Sequence, residues 1–77
     1  MTIADYFKGK VTYDNEGQYF WITKPNGEIT MLGELRGWGR IQQFFKKNGQ
    51  IDMKKAAAFQ DEIGEFVAQA INEKLEK

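Results

Sequence analysis

The chain contains no cysteine and no histidine. The first absence excludes disulfide scaffolds and thiol chemistry, and the second removes Cys/His zinc sites and every mechanism that needs an imidazole. Net charge is missing too: eleven Lys and Arg balance eleven Asp and Glu, at a pI near 6.2. Bulk attraction to nucleic acid or to an anionic membrane is therefore not implied. Uninterrupted apolar runs are only a few residues long, far short of a membrane span. The start Met1-Thr2-Ile3-Ala4-Asp5 carries no basic segment and no following apolar stretch of the kind a signal peptide needs, so a location in the cytosol is expected.

What is present is a moderately hydrophobic, aromatic-rich chain of 77 residues, 42% hydrophobic and 14% aromatic, which is not the composition of a disordered segment. That length allows one domain. A folded chain this short buries only about 60% of the surface its unfolded form exposes, so a small core is expected, with self-association as a natural support.

The patterning predicts an α+β domain ordered β-β-β-α-α, with a helical turn in front. Thr2 stands three residues before Asp5 in a capping-box arrangement and Gly9 can end the turn, provided Ile3 and Phe7 find something to pack on. From Lys10 to Arg36 the period becomes two. Val11 and Tyr13 alternate with Lys10 and Thr12, and Asp14-Asn15-Glu16-Gly17 reads as a type I turn with its glycine left-handed. Gln18 to Lys24 forms a second strand, and Pro25-Asn26-Gly27 a short hairpin loop with a bulge-forming glycine. Glu28 to Arg36 is the third strand of an antiparallel meander. Strict alternation places Tyr19, Trp21 and Thr23 opposite Phe20 and Ile22, and makes Ile29, Met31, Gly33 and Leu35 the core face of the third strand.

After Gly39 the period turns helical. Ile41, Phe44 and Phe45 share a face that suits the core, Lys46 and Lys47 occupy the last turn, and Asn48-Gly49 stops the helix. Asp52 caps a long final helix whose apolar arc holds Phe59, Ile63, Phe66, Val67, Ala70 and Ile71. Asp61, Glu62, Glu65, Gln69, Asn72, Glu73 and Glu76 fall on the opposite, solvated arc, and Gln60 is expected to reach solvent from the apolar arc's edge. Gly64 in the helix interior costs up to about 1 kcal/mol, which is the mark of close packing or a bend.

Charge is unevenly spread. Residues 1–35 carry −2, residues 36–55 carry +5 and residues 56–77 carry −3. The basic middle surrounds Leu35-Arg36-Gly37-Trp38-Gly39-Arg40. In this hexapeptide, two glycines free backbone N–H groups at a helix start, two arginines suit a phosphate or carboxylate, and Trp38 suits a base or ring. Arg36, Gly37, Trp38, Gly39 and Arg40 are thus a candidate anion or nucleotide site. The same residues also make a plain structural corner in which Trp38 fills the core, and no phosphate-loop or dinucleotide fingerprint is matched. Single-stranded nucleic acid is a weaker option, since no known reading module is present.

Catalysis is not expected. The paired acids Asp61/Glu62 and Glu73/Glu76 lie on one solvated helix face, and a chain this short has little room for a cleft with carboxylates opposed across it. No calcium-loop spacing is present, so no metal and no cofactor are called for. Two surfaces point to protein contact instead: Tyr19 and Trp21 on the aromatic strand, and Asp61, Glu62 and Glu65 on the last helix. A sheet edge offers a further route to a homo-oligomer.

Leu35-Arg36-Gly37-Trp38-Gly39-Arg40-Ile41-Gln42, followed by the stretch from Phe59-Gln60-Asp61-Glu62-Ile63-Gly64-Glu65-Phe66 to Leu75, resembles small proteins encoded in bacteriophages and prophages. Those read as a short meander, an Arg-Gly-Trp/Tyr-Gly corner and a helix of the form Gln-Asp-x-Ile-Gly-x-Phe. The resemblance implies a binding protein acting in the host cytosol against a defence system. One form is a stoichiometric inhibitor of a host protein or protein–nucleic acid complex, as anti-CRISPR proteins are. Another is a sponge for a nucleotide-derived immune signal held by Arg36, Trp38 and Arg40, and a third is an assembly accessory. The pattern assigns no residue a role.

Overall fold

The computed structural model describes residues 1–35 and 41–75. It shows an α+β fold in which three antiparallel strands are followed by a long C-terminal helix. A short helix α1 (Ile3–Tyr6) opens the chain, with the Thr2 and Asp5 side chains and backbones bonded reciprocally as a capping box. Those bonds hold the Asp5 carboxyl below the ordinary carboxylate range, the backbone N–H of Thr2 contributing most. Phe7 then packs on the core, whereas Ile3 stays exposed.

Strands β1 (Lys10–Asp14), β2 (Tyr19–Thr23) and β3 (Ile29–Glu34) pair in that order. In the first turn Asp14 accepts a hydrogen bond from the Glu16 N–H, but the left-handed residue is Gln18 at φ 59°, not Gly17. The second turn forms as expected: Gly27 takes φ 90° and donates to the Lys24 carbonyl, while the Lys24 N–H donates to Glu28.

One irregularity decides which side chains face inward. Phe20 pairs with Gly33 but Trp21 pairs with Met31, so β3 carries one extra residue at Leu32. The bulge resets the alternation. Thr30, Leu32 and Leu35 turn inward and Ile29 and Met31 turn outward, so Leu35 lies in the core as expected while Ile29 and Met31 leave it. Leu35 is completely buried, with Val11, Tyr13, Phe20, Ile22 and Ala68 around it and Phe7, Leu32, Ile63, Val67 and Ile71 at the margin. Full burial stabilises each of Val11, Ile22 and Leu35 by about 1.5–3 kcal/mol.

The expected short helix is instead a five-residue 3-10 turn (Ile41–Phe45) running into a small hairpin of β4 (Lys46–Lys47) and β5 (Gln50–Ile51). Asn48 at φ 53° and Gly49 at φ 78° are the two positive-φ residues that a two-residue hairpin needs, so Asn-Gly here turns a strand pair and does not stop a helix. Phe44 is 83% exposed, contrary to its expected place in the core, and Phe45 packs on Phe59 with ring centroids 5.6 Å apart.

Helix α2 (Met53–Lys74) is capped by Asp52, whose side chain accepts the Lys55 N–H at 3.1 Å. Its buried row is Ala56, Gln60, Gly64 and Ala68, while Phe59, Phe66 and Ala70 of the expected apolar arc are exposed. The reason is steric. Small side chains let the sheet come close, and the Tyr13 ring sits directly on Gly64. Gln60, expected in solvent, is buried and donates its amide to Gln18 Oε1 at 3.2 Å. Among the described residues no helix is long and apolar enough to cross a membrane.

Candidate functional site

The sheet has two different faces. Phe20 and Ile22 of β2 point towards α2, which leaves Tyr19, Trp21 and Thr23 on the other side. Register then builds this outer face in three rows across the strands: Lys10, Thr23 and Ile29; Thr12, Trp21 and Met31; Asp14, Tyr19 and Glu34. Tyr19 and Trp21 meet edge to face with centroids 6.1 Å apart. The Tyr19 ring also lies against Gly17, where a Cβ would collide with it. Ile29 is 63% exposed and Met31 52%. No helix or strand among the described residues lies over this face. The result is an apolar and aromatic centre with Lys10, Asp14 and Glu34 at its margin.

The acidic residues expected as a second contact surface lie elsewhere. They belong to α2, which packs on the inner face of the sheet. They also divide among themselves. Asp61 is half-buried and accepts the Tyr13 hydroxyl at 2.8 Å, so it is a strut of the fold and not part of a solvated arc. Glu65 is exposed near the same tyrosine, and Glu62 is exposed on the helix's outer side. Burial first, then the bond to Asp61 and the negative charges of Asp61, Glu65 and Asp14, push the Tyr13 hydroxyl far above the ordinary phenol range. Among the described residues no three acidic side chains gather to hold a metal ion.

Asn72 also departs from the solvated arc. Its amide donates to the Val11 carbonyl at 2.8 Å and its oxygen accepts the Val11 N–H at 2.9 Å, so one side chain satisfies both outward-facing groups of a residue on edge strand β1. Arg36, Gly37, Trp38, Gly39 and Arg40 lie outside the described residues.

Ile29 and Met31 are the members of the outer face that sequence reasoning missed, having assigned them to the core. Gly33 was the available signal, since an isolated glycine within a strand marks a bulge. Compared with known protein families, curated proteins and solved structures, the chain matches none.

Proposed function

We propose that this is a non-catalytic binding protein that captures another protein on the outer face of its sheet. The observation that carries the reading is the row Thr12, Trp21, Met31, with Tyr19 and Ile29 beside it, on one face of a paired sheet: Thr12, Met31 and Ile29 are exposed and the Trp21 and Tyr19 rings half-buried. Large aromatic and apolar anchors inside a polar margin are the usual make-up of an interface hot spot. The partner it fits presents an apolar patch of its own. The resemblance to phage-encoded proteins supports a host defence protein as that partner and stoichiometric inhibition in the host cytosol as the outcome. The nucleotide-sponge reading through Arg36, Trp38 and Arg40 rests on the hexapeptide's composition alone.

The test is paired capture from host lysate with the wild type and a Trp21→Ala/Met31→Ala variant, both checked for folding by circular dichroism. A partner retained by the wild type, lost by the variant and reconstituted in fixed stoichiometry from purified components is the expected result. Equal capture by both proteins overturns the reading. Thermal stabilisation by a nucleotide that is lost in Arg36→Glu replaces it with the sponge, since a ligand at 100 times its Kd adds about 2.7 kcal/mol.

A further inference from the structure

The protein exposes more surface than a compact monomer of its mass. Folded monomers of 8.9 kDa expose about 4,800 Å², whereas this chain exposes 6024 Å². Its radius of gyration is 14.7 Å, against about 11.5 Å for a compact chain of this length. The excess surface, about 1,200 Å², is larger than the roughly 800 Å² that each partner contributes to a stable interface.

Part of that surface is a stripe on α2. Phe59, Ile63, Phe66 and Ala70 recur at spacings of four, three and four, the seam of a two-helix coiled coil. The stripe lies about a third of a turn round the helix from the buried row of Ala56, Gln60, Gly64 and Ala68. Phe66 is 72% exposed, Phe59 is 42% exposed beside Phe45, and Ile63 is half-buried. Beside Ala70 the stripe continues into a groove lined by Ile3, Phe7, Ala70, Ile71 and Leu75, with Glu73 and Lys74 at its border.

The stripe complements itself. In an antiparallel pair with its two-fold axis between Gly64 and Glu65, Phe59 lies opposite the second copy's Ala70 and Ile63 opposite the second copy's Phe66. Each large ring thus faces a smaller side chain, and Phe59 falls beside the second copy's groove at Ile3 and Phe7. A parallel pair stacks ring on ring and leaves Ala70 on Ala70. On the outer flank of the antiparallel seam, Glu62 approaches the second copy's Gln69, an amide able to donate to it.

We propose that the chain forms a two-fold dimer in which the α2 helices pack antiparallel along Phe59, Ile63, Phe66 and Ala70. This interface is on the helix, away from the outer sheet face, so it stands or falls independently of the proposed function. Sedimentation equilibrium of the full chain reads the mass. A dimer at twice 8.9 kDa is expected, lost in Phe66→Glu with helix content retained, and kept in Phe44→Glu, which changes a more exposed ring off the stripe.

The geometry is read separately, because the absence of cysteine makes single-label experiments clean. Spin labels on Glu62→Cys, on the seam's flank, are expected about 8 Å from their symmetry mates along the axis, from five residues at 1.5 Å each. Labels on Lys55→Cys are expected about 28 Å apart along the axis, from nineteen residues at 1.5 Å each. A monomer at every concentration, a dimer unaffected by Phe66→Glu, or short distances at both labelled positions overturns the proposal.

Discussion

Gly64→Ala puts two known effects in opposition at one atom. In a free helix the substitution stabilises by up to about 1 kcal/mol, because alanine has less backbone entropy to lose. Here a Cβ on Gly64 falls 2.5 Å from Cδ1 and Cζ of Tyr13, well inside van der Waals contact. The ring has no easy retreat: it is buried, packs on Phe20 at 5.3 Å between centroids, and is tethered at its far end by the 2.8 Å bond to Asp61. Overpacking of a well-filled core costs about 1–3 kcal/mol, and the tether places this case at the upper end. Net destabilisation of about 2 kcal/mol follows, which for a domain of this size is a fall in Tm of about 8–16 °C. Thermal unfolding at one fixed protein concentration measures it, and the same substitution made in Tyr13→Val supplies the control. With the ring gone, alanine is expected to stabilise by up to about 1 kcal/mol. A rise in Tm for Gly64→Ala alone, or the same shift in both backgrounds, refutes the contact as the reason for glycine at this position.

Asn72→Ala removes both bonds to Val11 and is expected to cost about 1–3 kcal/mol, with faster hydrogen exchange at the Val11 amide and little change at the β2–β3 pairing. The raised pKa of Tyr13 has a definite pH signature. The stability that comes from the neutral phenol is complete below its ordinary value of 10.0, and is lost above it as the unfolded chain ionises and the native one resists. Melting temperatures followed upward through that value are therefore expected to fall more steeply for the wild type than for Tyr13→Phe, and equal slopes contradict the assignment.

Elements governed by local chemistry were legible in the sequence. The Thr2/Asp5 capping box, the Pro25-Asn26-Gly27 turn, the alternation of Val11 and Tyr13, and the Asp52 cap each depend on residues within a few positions of one another. Features set by long-range register were not. Leu32 and Leu35 share the core only because a bulge resets the period, and that carries Ile29 and Met31 to the outer face. The wheel of α2 weighted the helix by hydrophobicity, but the sheet chose its smallest residues, because the Tyr13 ring needed the space over Gly64. Asn72, Gln60 and Asp61 read as solvated because their partners, Val11, Gln18 and Tyr13, lie more than forty positions away. Asn48-Gly49 was ambiguous on chemistry alone, since a helix end and a tight hairpin both accept positive φ there.

The Asn72 amide on Val11 also determines how the sheet meets other sheets. A strand approaching the β1 side finds a side chain where register demands a backbone, so pairing on that side cannot propagate. The other margin of the sheet is β3. A sheet with one sealed margin adds at most one further strand system, and if that system is a second copy, both outer margins of the joined sheet are sealed. Fibre growth through this sheet needs both margins open on every unit, and the β1 margin is closed.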